Sequence, residues 1–490
     1  MTRLAAQPLQ VDAVLDSAVS INLKNVRSDR AVKLLSNRLG YGFSYDATLL
    51  VKKQIDVSSS QQKVRNILYQ IFGDTSLHIS THNRQILIAR KYLHYAPQPC
   101  EGEAVISGTI YDNLTDEPIP FTALNLESLN RYTVANYDGI FVFKVPCDVD
   151  SIEIETHALG YINLKKNISV KNGQLSIFLE PSVIALREVI VRSVDPVFVV
   201  NQSLDKRDEN YLSRKTAAKV FFRETIQKNE GLVGLSEAVF QLQKESYSNS
   251  KSDRLKLIKG RKYIDATKLD TIDFKLKASL SSCLRLDVVK NLPSFYHEDL
   301  SDIYDLSYTD VLIYNDRLVY KIDFTPKEGV NEYYHSGSLY IDENDYSLIA
   351  TEFVVDKKML HRARSEIIIR KSRKVKSKLK SAKYTVHYME IDGKYFLSYV
   401  RMEIAMRVRL TKRIRGSSYI SIAEMVVNQV DNGEIDRIER HEAFKTDKIF
   451  MEEPMSYDLD FWKGYDFFPL DIPLYQSINA LESILKPTHQ

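Results

Sequence analysis

The sequence predicts a multidomain, β-rich α+β protein with a small α+β domain, a β-sandwich and a large curved antiparallel β-sheet domain. Its 490 residues exceed what one ordinary hydrophobic core supports, which favours roughly two to four domains. Tyrosine (29 residues) and phenylalanine (20 residues) are abundant, and both residue types favour strands. Short segments of alternating apolar and polar residues, separated by turn residues, recur along most of the chain.

Composition and charge exclude several classes of protein. With 44% hydrophobic and 27% charged residues, the chain is globular rather than disordered. The net charge of +3 is too small to indicate nucleic acid, so we predict no nucleic-acid partner. No segment approaches the ~20 apolar residues that span a bilayer. The first ten residues also lack the apolar segment of a signal peptide.

The three cysteines, Cys100, Cys147 and Cys283, have no spacing typical of a metal site. They do not indicate whether the protein lies in an oxidising or a reducing compartment, because a Cys100–Cys147 disulfide and three free thiols both fit the sequence. We favour three free thiols, and we predict neither a metal nor a cofactor.

Residues 18–91 repeat the order strand, polar cap, helix, glycine and strand. Ser28 or Asp29 caps the first predicted helix, which ends at Gly40, and the second predicted helix ends at Gly73. A hairpin that turns at Asn83 follows. Such a unit forms a small α+β domain with helices on one side of short strands.

This segment resembles the STN domain, the short N-terminal module of secretins and TonB-dependent outer-membrane receptors. The resemblance lies in NVRSDRAVKLLSNRLGYGFSYD and SSSQQKVRNILYQIFGDTSLHISTHNRQILI. It implies a periplasmic domain that contacts other proteins.

After a polar linker at residues 92–104, seven short predicted strands occupy residues 105–181 and favour a small β-sandwich. Asp138-Gly139 lies between two of them. We interpret this pair as a hairpin turn rather than a catalytic acid, because glycine adopts positive φ readily and no second carboxylate or histidine lies at ligand spacing.

The segments VISGTIYDNLTDEPIPFTALNL, YTVANYDGIFVFKVP, HALGY and LREVIVRS resemble the carboxypeptidase-regulatory-like domain of Gram-negative, Bacteroidota-type bacteria. Asp138, Gly139, Gly160 and Tyr161 fall on recurring positions of that family. The resemblance implies a transthyretin/Ig-like sandwich without peptidase activity, in a protein associated with the outer membrane.

We predict a second linker at residues 182–210 and a curved antiparallel β domain at residues 211–450. It begins with a helical entry at Thr216, and the turn pairs Asn315-Asp316 and Asp392-Gly393 mark hairpins. The strand pattern is similar to that of periplasmic lipoprotein-carrier half-barrels. An aromatic, proline-rich tail at residues 451–490 is expected to pack on this domain.

Enzyme motifs such as GxSxG, HExxH and nucleotide-binding loops do not occur. His387 and Glu390 have the HxxE spacing of a zinc peptidase. They lie on a predicted strand, where residues three apart point to opposite faces. We therefore predict that the protein is not an enzyme.

Positive charge is concentrated in residues 361–383, with ten lysines and arginines against one glutamate, and on the strand that contains Arg407 and Arg409. The alternatives are a solvated face that prevents edge-to-edge pairing, and a basic surface for anionic lipid, lipopolysaccharide or an acidic partner. The candidate residues are Arg362, Arg364, Arg370, Lys371, Arg373, Lys374, Arg407 and Arg409.

Together these patterns predict a periplasmic, outer-membrane-associated binding or adaptor protein, linked to TonB-dependent uptake or signalling. Its partner would be an outer-membrane or periplasmic receptor or signalling protein. One alternative is a carrier of lipid or another apolar ligand in the C-terminal curved sheet. A hydrolase with an unrecognised site is the third hypothesis.

Overall fold

The computed structural model describes residues 13–45, 53–75, 77–82, 85–90, 103–170, 174–182, 195–229, 231–264, 274–276, 279–329, 335–371, 375–411, 416–431, 437–445, 450 and 468–469. The chain divides into two compact units, residues 1–96 and 97–490. No helix in these described ranges is long and apolar enough to cross a membrane.

The first unit is an α+β domain with two helices over short strands. Strands β1 and β3 pair antiparallel, while β5 pairs parallel with β2 and antiparallel with β4. Both longer helices end at the expected glycines: Gly40 has φ +69° and Gly73 has φ +71°. The elements are α1 (Ala13–Asp16), β1 (Ala18–Arg27), α2 (Ser28–Leu39), β2 (Gly42–Tyr45), β3 (Gln54–Lys63), α3 (Val64–Phe72), β4 (Leu77–His82) and β5 (Gln85–Arg90). The predicted turn at Asn83 lies outside the described residues.

The second unit begins with a seven-strand sandwich, called the sandwich below. Strands β12, β6 and β9 form one sheet, and β11, β10, β7 and β8 form the other. Apolar side chains of both sheets, including Ile110, Phe141 and Ile154, are buried between them. The strands are β6 (Glu103–Asp112), β7 (Ala123–Leu126), β8 (Arg131–Val134), β9 (Ile140–Pro146), β10 (Ser151–His157), β11 (Leu164–Ser169) and β12 (Gln174–Leu179).

The Asp138-Gly139 turn joins the two sheets of the sandwich rather than two paired strands. It connects β8, which pairs with β7, to β9, which pairs with β6. Gly139 has φ +71°, and a Cβ atom there would lie 2.7 Å from the carbonyl oxygen of Ile110. The Asn136 side chain accepts hydrogen bonds from the backbone N–H groups of Asp138 and Ile140. The pair is therefore a tight turn between layers, where the sequence predicted a hairpin.

A curled antiparallel sheet follows, called the curved sheet below. Its strand order is β15-β14-β13-β24-β23-β22-β20-β19-β18-β17, and β8 of the sandwich pairs with β24 at one position. The strands are β13 (Thr216–Lys228), β14 (Gly231–Lys244), β15 (Arg254–Ile264), β17 (Tyr304–Tyr314), β18 (Arg317–Pro326), β19 (His335–Asp342), β20 (Leu348–Val355), β22 (Val375–Ile391), β23 (Lys394–Leu410) and β24 (Ser417–Asp431). A separate short pair joins β16 (Phe274–Leu276) to β21 (Ile368–Lys371).

One expectation about this region is wrong. The predicted helical entry at Thr216 is strand β13, which lies between β14 and β24. Because this strand is buried on both faces, apolar and polar residues do not alternate along its sequence. Two helices lie within the predicted linker at residues 182–210, and Asp195 caps the first of them, with Pro196 in its first turn. The helices of this unit are α4 (Pro196–Asp205), α5 (Arg207–Asn210), α6 (Ser279–Arg285), α7 (Val288–Asn291), α8 (Leu300–Ile303) and α9 (Leu360–Ile367).

Helices α4 and α6–α8 pack on one face of the curved sheet and fill it with apolar side chains. Helix residues such as Val200, Leu280 and Val289 are fully buried there, in one core with sheet residues such as Phe222 and Met425. Over the described residues, this face is therefore packed with side chains from a group of short helices.

A buried ion-pair network ties these helices to the sheet. The Lys244 ammonium lies 2.7 Å from Asp253 and 2.6 Å from Asp287, and Lys290 lies 2.9 Å from Asp253. The Tyr388 hydroxyl donates to Asp287 at 2.9 Å. Each of these charged side chains is less than a tenth exposed, so the network fixes the helices in place.

The opposite face of the curved sheet is covered by the sandwich and by Phe468 of the tail. Phe468 is fully buried against Phe221 and Tyr399. Arg223 donates to the carbonyl oxygens of Phe468 and Pro469 and pairs with Glu237 at 2.9 Å. The described part of the tail thus packs on the sheet.

Candidate functional site

A cleft of about 600 Å³ lies between the sandwich and the curved sheet, on the face that Phe468 also covers in part. This volume falls within the range of small-molecule sites, roughly 300–1,000 Å³. The sandwich contributes loop residues and the ends of its strands, and the sheet contributes β17, β19, β20, β22 and β23. The residues that line the cleft include Asp112, Glu117, Phe121, Ala123, Tyr137, His157, Leu159, Tyr161, Leu312, Tyr314, Tyr340, Glu352, His387 and Ser398.

Aromatic and aliphatic side chains form most of the cleft wall. Phe121 and Tyr137 come from the sandwich, with ring centroids 6.2 Å apart, and Leu312 and Tyr314 come from the edge strand β17. Tyr137 is 60% exposed, so its ring faces open space instead of a packed core. Rings of this kind offer large apolar contact area to a ligand.

His387 lies at the base of the cleft, between rings of both domains. Its imidazole centroid is 5.8 Å from that of Phe121 and 6.1 Å from that of Tyr399. Burial lowers the pKa of His387 to about 4, so the ring is neutral at pH 7. Its Nε2 atom is buried without a hydrogen-bond partner. A buried polar atom of this kind is a point where a ligand could bind.

Three acidic or hydrogen-bonding groups lie around the rim of the cleft. Burial alone would raise the pKa of Asp112, but backbone N–H groups of Thr115 and Leu114 and the Tyr161 hydroxyl donate to it and lower the pKa. Burial raises the pKa of Tyr161 to about 12, and its bond to Asp112 adds to the shift. Glu352 is solvent-exposed, and partial desolvation raises its pKa, although Lys321 opposes this.

His157 completes the polar lining on the sandwich side. Burial lowers its pKa, although Glu155, 3.6 Å away, favours the charged form. Its Nδ1 atom is buried and has no hydrogen-bond partner. The cleft therefore combines an apolar wall, two imidazoles with unpartnered nitrogen atoms and several carboxylates.

The predicted turn residues lie beside or within the cleft wall. The Gly160 N–H donates to the carbonyl oxygen of Ile313 at 2.8 Å, which attaches this loop of the sandwich to strand β17. Tyr161 lines the cleft, and Asp138-Gly139 follows the lining residue Tyr137. The motif thus fixes the position of the sandwich on the sheet.

The HxxE pair is separated in the structure. His387 contacts the rings in the cleft, whereas Glu390 pairs with Arg317 at 2.6 Å. Ser398 lines the cleft as well, and its hydroxyl donates to the backbone carbonyl of His387 at 3.0 Å.

The predicted basic residues are only partly brought together. Arg407 and Arg409 are exposed on β23, directly opposite Lys378 and Lys376 of β22. We call these four residues the basic face. The sequence-based set did not include the two lysines, although they alternate with Val375, Ser377 and Leu379 in the same basic segment.

The remaining basic candidates lie elsewhere in the fold. Arg362 and Arg364 are on helix α9, and Arg364 donates to the Ser377 carbonyl oxygen at 3.2 Å. The backbone of Arg370 and Lys371 forms strand β21. Arg373 and Lys374 lie outside the described residues.

The structure differs from the prediction of three free thiols at Cys147. Cys147 is disulfide-bonded, whereas Cys283 is a free, fully buried thiol in the helix-covered core. Burial raises the pKa of Cys283 well above its usual value, which keeps the thiol protonated. Cys100 lies outside the described residues.

Comparison with protein families identifies the sandwich. Residues 106–191 match the family model of the CarboxypepD_reg-like domain. The predicted regulatory-like domain is thereby confirmed, and it forms one wall of the cleft. None of the curated proteins compared with the chain matches it.

Solved structures give weak likenesses. A DUF1329 family protein from Desulfovibrio piger has 14% identity over 50% of this chain and 96% of that one, with a TM-score of 0.21. A LolA superfamily protein from Nitrosomonas europaea has 12% identity over 48% and 94%, with a TM-score of 0.20. MucB, solved in complex with MucA(peri), has 11% identity over 49% and 94%, with a TM-score of 0.16. TM-scores this low do not establish a shared fold.

Proposed function

We propose that this protein is a non-enzymatic periplasmic binding protein that holds a small apolar ligand in the cleft between its regulatory-like domain and its curved sheet. The observation that carries the proposal is the cleft of about 600 Å³, with Phe121, Tyr137 and Tyr314 in its wall and His387 at its base. The helix-covered face of the sheet is packed with side chains, which favours the opposite face as the ligand site.

A binding role fits the contacts of the polar groups better than catalysis does. The Ser398 hydroxyl donates to the backbone carbonyl of His387 instead of its imidazole, so the two side chains do not form a nucleophile–base pair. The Cys283 thiol is buried and protonated, which removes it as a nucleophile.

Fluorescence titration with N-phenyl-1-naphthylamine, a neutral apolar probe, tests the proposal. Phe121→Ala should weaken binding about fivefold, since an aromatic contact contributes about 1 kcal/mol. Phe198→Ala is the matched control, because Phe198 is 47% exposed on helix α4 and is not part of the cleft wall.

A second variant tests the location by filling the cleft. Ala123→Trp places an indole among the lining residues and should abolish probe binding. Circular dichroism and the thermal midpoint would establish that the variant is folded. Unchanged binding by a folded Ala123→Trp variant would contradict the proposal.

The compartment and partners belong to the same proposal. The Cys147 disulfide supports an oxidising compartment such as the periplasm. The order of helices and strands in residues 18–91, with helices ending at Gly40 and Gly73, supports an STN-like domain there. Through this domain the protein would contact an outer-membrane or periplasmic receptor or signalling partner. Cross-linking in cells, with and without residues 18–91, tests this role.

The basic face favours a second role, contact with an anionic lipid or lipopolysaccharide surface. Lys378 and Arg407 are direct cross-strand partners, as are Lys376 and Arg409. Like charges directly opposite each other destabilise a sheet, whereas a phosphate group bound between Lys378 and Arg407 would offset the repulsion. This contact would hold the protein near the outer membrane.

A further inference from the structure

The charges in the cleft wall have one sign. The described lining residues include the carboxylates of Asp112, Glu117 and Glu352, and contain neither lysine nor arginine. We propose that the ligand of this cleft is an organic cation with an apolar body, an inference that rests on the proposed binding function. An anionic lipid, in contrast, would meet like charge at the three carboxylates of this wall.

Asp112 supplies a fixed negative charge. Its carboxylate accepts hydrogen bonds from the Leu114 N–H at 2.7 Å, the Thr115 N–H at 2.9 Å and the Tyr161 hydroxyl at 2.9 Å. These three donors are neutral, so they stabilise the carboxylate without cancelling its charge. The negative potential therefore remains at the cleft wall.

Glu352 places a second carboxylate in the cleft wall, with its side chain exposed to solvent. It lies on β20, between Ser338 and Thr385 on the neighbouring strands. Desolvation raises its pKa, and Lys321, the cation that opposes this shift, is not part of the cleft wall. A ligand ammonium group would add a counter-charge on the cleft side of Glu352.

The aromatic wall and His387 fit the same ligand class. Cations are attracted to the faces of Phe and Tyr rings, and Phe121, Tyr137 and Tyr314 all line the cleft. The Arg401 guanidinium lies 5.8 Å from the Tyr137 ring centroid, so a ligand cation would use the other rings or the free part of Tyr137. A neutral imidazole also has an acceptor nitrogen, which can take a hydrogen bond from an N–H group.

Three probes with one naphthalene body separate charge from apolar contact: 1-naphthylmethylamine, 1-naphthalenemethanol and 1-naphthoic acid. By calorimetric titration at pH 7.5, the amine should bind the full-length protein at least tenfold more tightly than the acid, with the alcohol between them. Glu352→Gln should reduce the amine-to-acid ratio about fivefold. Glu153→Gln is the control, because Glu153 is exposed on strand β10 of the regulatory-like domain, outside the cleft wall.

The outcomes distinguish this inference from the function on which it rests. Equal affinity for the three probes, or preference for the acid, would overturn the cation inference and leave the apolar-ligand proposal intact. No binding of these probes or of N-phenyl-1-naphthylamine would overturn both. An amine preference that Glu352→Gln and Glu153→Gln reduce equally would place the selectivity outside the cleft, and so would also overturn the inference.

Discussion

The imidazole of His387 on the curved sheet lies 5.8 Å from the ring of Phe121 on the regulatory-like domain, measured between ring centroids. This contact joins the two domains at the base of the cleft. A neutral ring is needed there, because a charged imidazole would lose its hydration without gaining an ion pair. The stability of the domain contact is therefore linked to pH.

Acidification should destabilise the protein between about pH 6.5 and pH 4. Burial lowers the pKa of both His387 and His335 to about 4 from an ordinary value of 6.5. In this window the unfolded chain binds protons that the folded protein does not, so the free energy of unfolding falls as pH falls. At pH 5.5 the loss is about 1.4 kcal/mol for each histidine. Urea unfolding at several pH values would measure it.

His387→Gln removes one of these two titrating groups. The midpoint of urea unfolding should then depend less steeply on pH between 6.5 and 5 than in the wild-type protein. Identical pH profiles for the variant and the wild type would contradict the burial of a neutral His387.

Lys244→Met should strongly destabilise the helix-covered core. Lys244 holds Asp253 and Asp287 at 2.7 and 2.6 Å, and its removal leaves Asp287 buried without a counter-charge. The expected cost is about 3–5 kcal/mol, measured by urea unfolding. Lys256→Met is the control: it breaks a pair with Glu442 at 2.7 Å in which Lys256 is 43% exposed. That loss should be below about 1 kcal/mol, and equal losses would contradict the account.

Gly139→Ala should cost more stability than Gly393→Ala. Both glycines have positive φ, +71° and +73°, so alanine is strained by about 1–2 kcal/mol at either position. Only at Gly139 would the new Cβ atom meet backbone, 2.7 Å from the Ile110 oxygen, whereas nothing lies within 4 Å at Gly393. Thermal unfolding of the two variants measures the difference, and equal midpoints would contradict the tight approach.

Lys378→Glu should change stability and membrane binding in opposite directions. It converts a like-charge pair with Arg407 into an attractive one, which should add about 0.2–1 kcal/mol of stability. Sedimentation with vesicles that contain phosphatidylglycerol should show weaker binding. Lys251→Glu, at an exposed turn, makes the same change in net charge and should leave vesicle binding almost unaltered. Equal losses in both variants would show that only net charge matters.

Local patterns predicted the parts of the fold that depend on local physics. The sequence indicated the helix ends at Gly40 and Gly73 and the seven strands of the regulatory-like domain. Both signals, a glycine that adopts positive φ and the alternation of apolar with polar residues, depend on only a few neighbouring residues. Strand β13 was predicted as a helix because burial on both faces removes alternation. The pairing of β8 with β24 is non-local and left no signal in the sequence.

The cleft could not be predicted from sequence patterns. Phe121, His157, Tyr314 and His387 are far apart along the chain and meet only because the regulatory-like domain packs on the curved sheet. The HxxE spacing includes His387 but does not indicate the ring contacts that surround its imidazole in the cleft. Arg407 and Arg409 were identified by charge alternation, while Lys376 and Lys378 became part of the same face through strand register.

The most direct test of the central claim is a crystal structure of the protein with bound N-phenyl-1-naphthylamine. The account predicts density for the probe between the two domains, in contact with Phe121 and His387. Density on the helix-covered face of the curved sheet, or a bound probe that leaves this cleft empty, would contradict it.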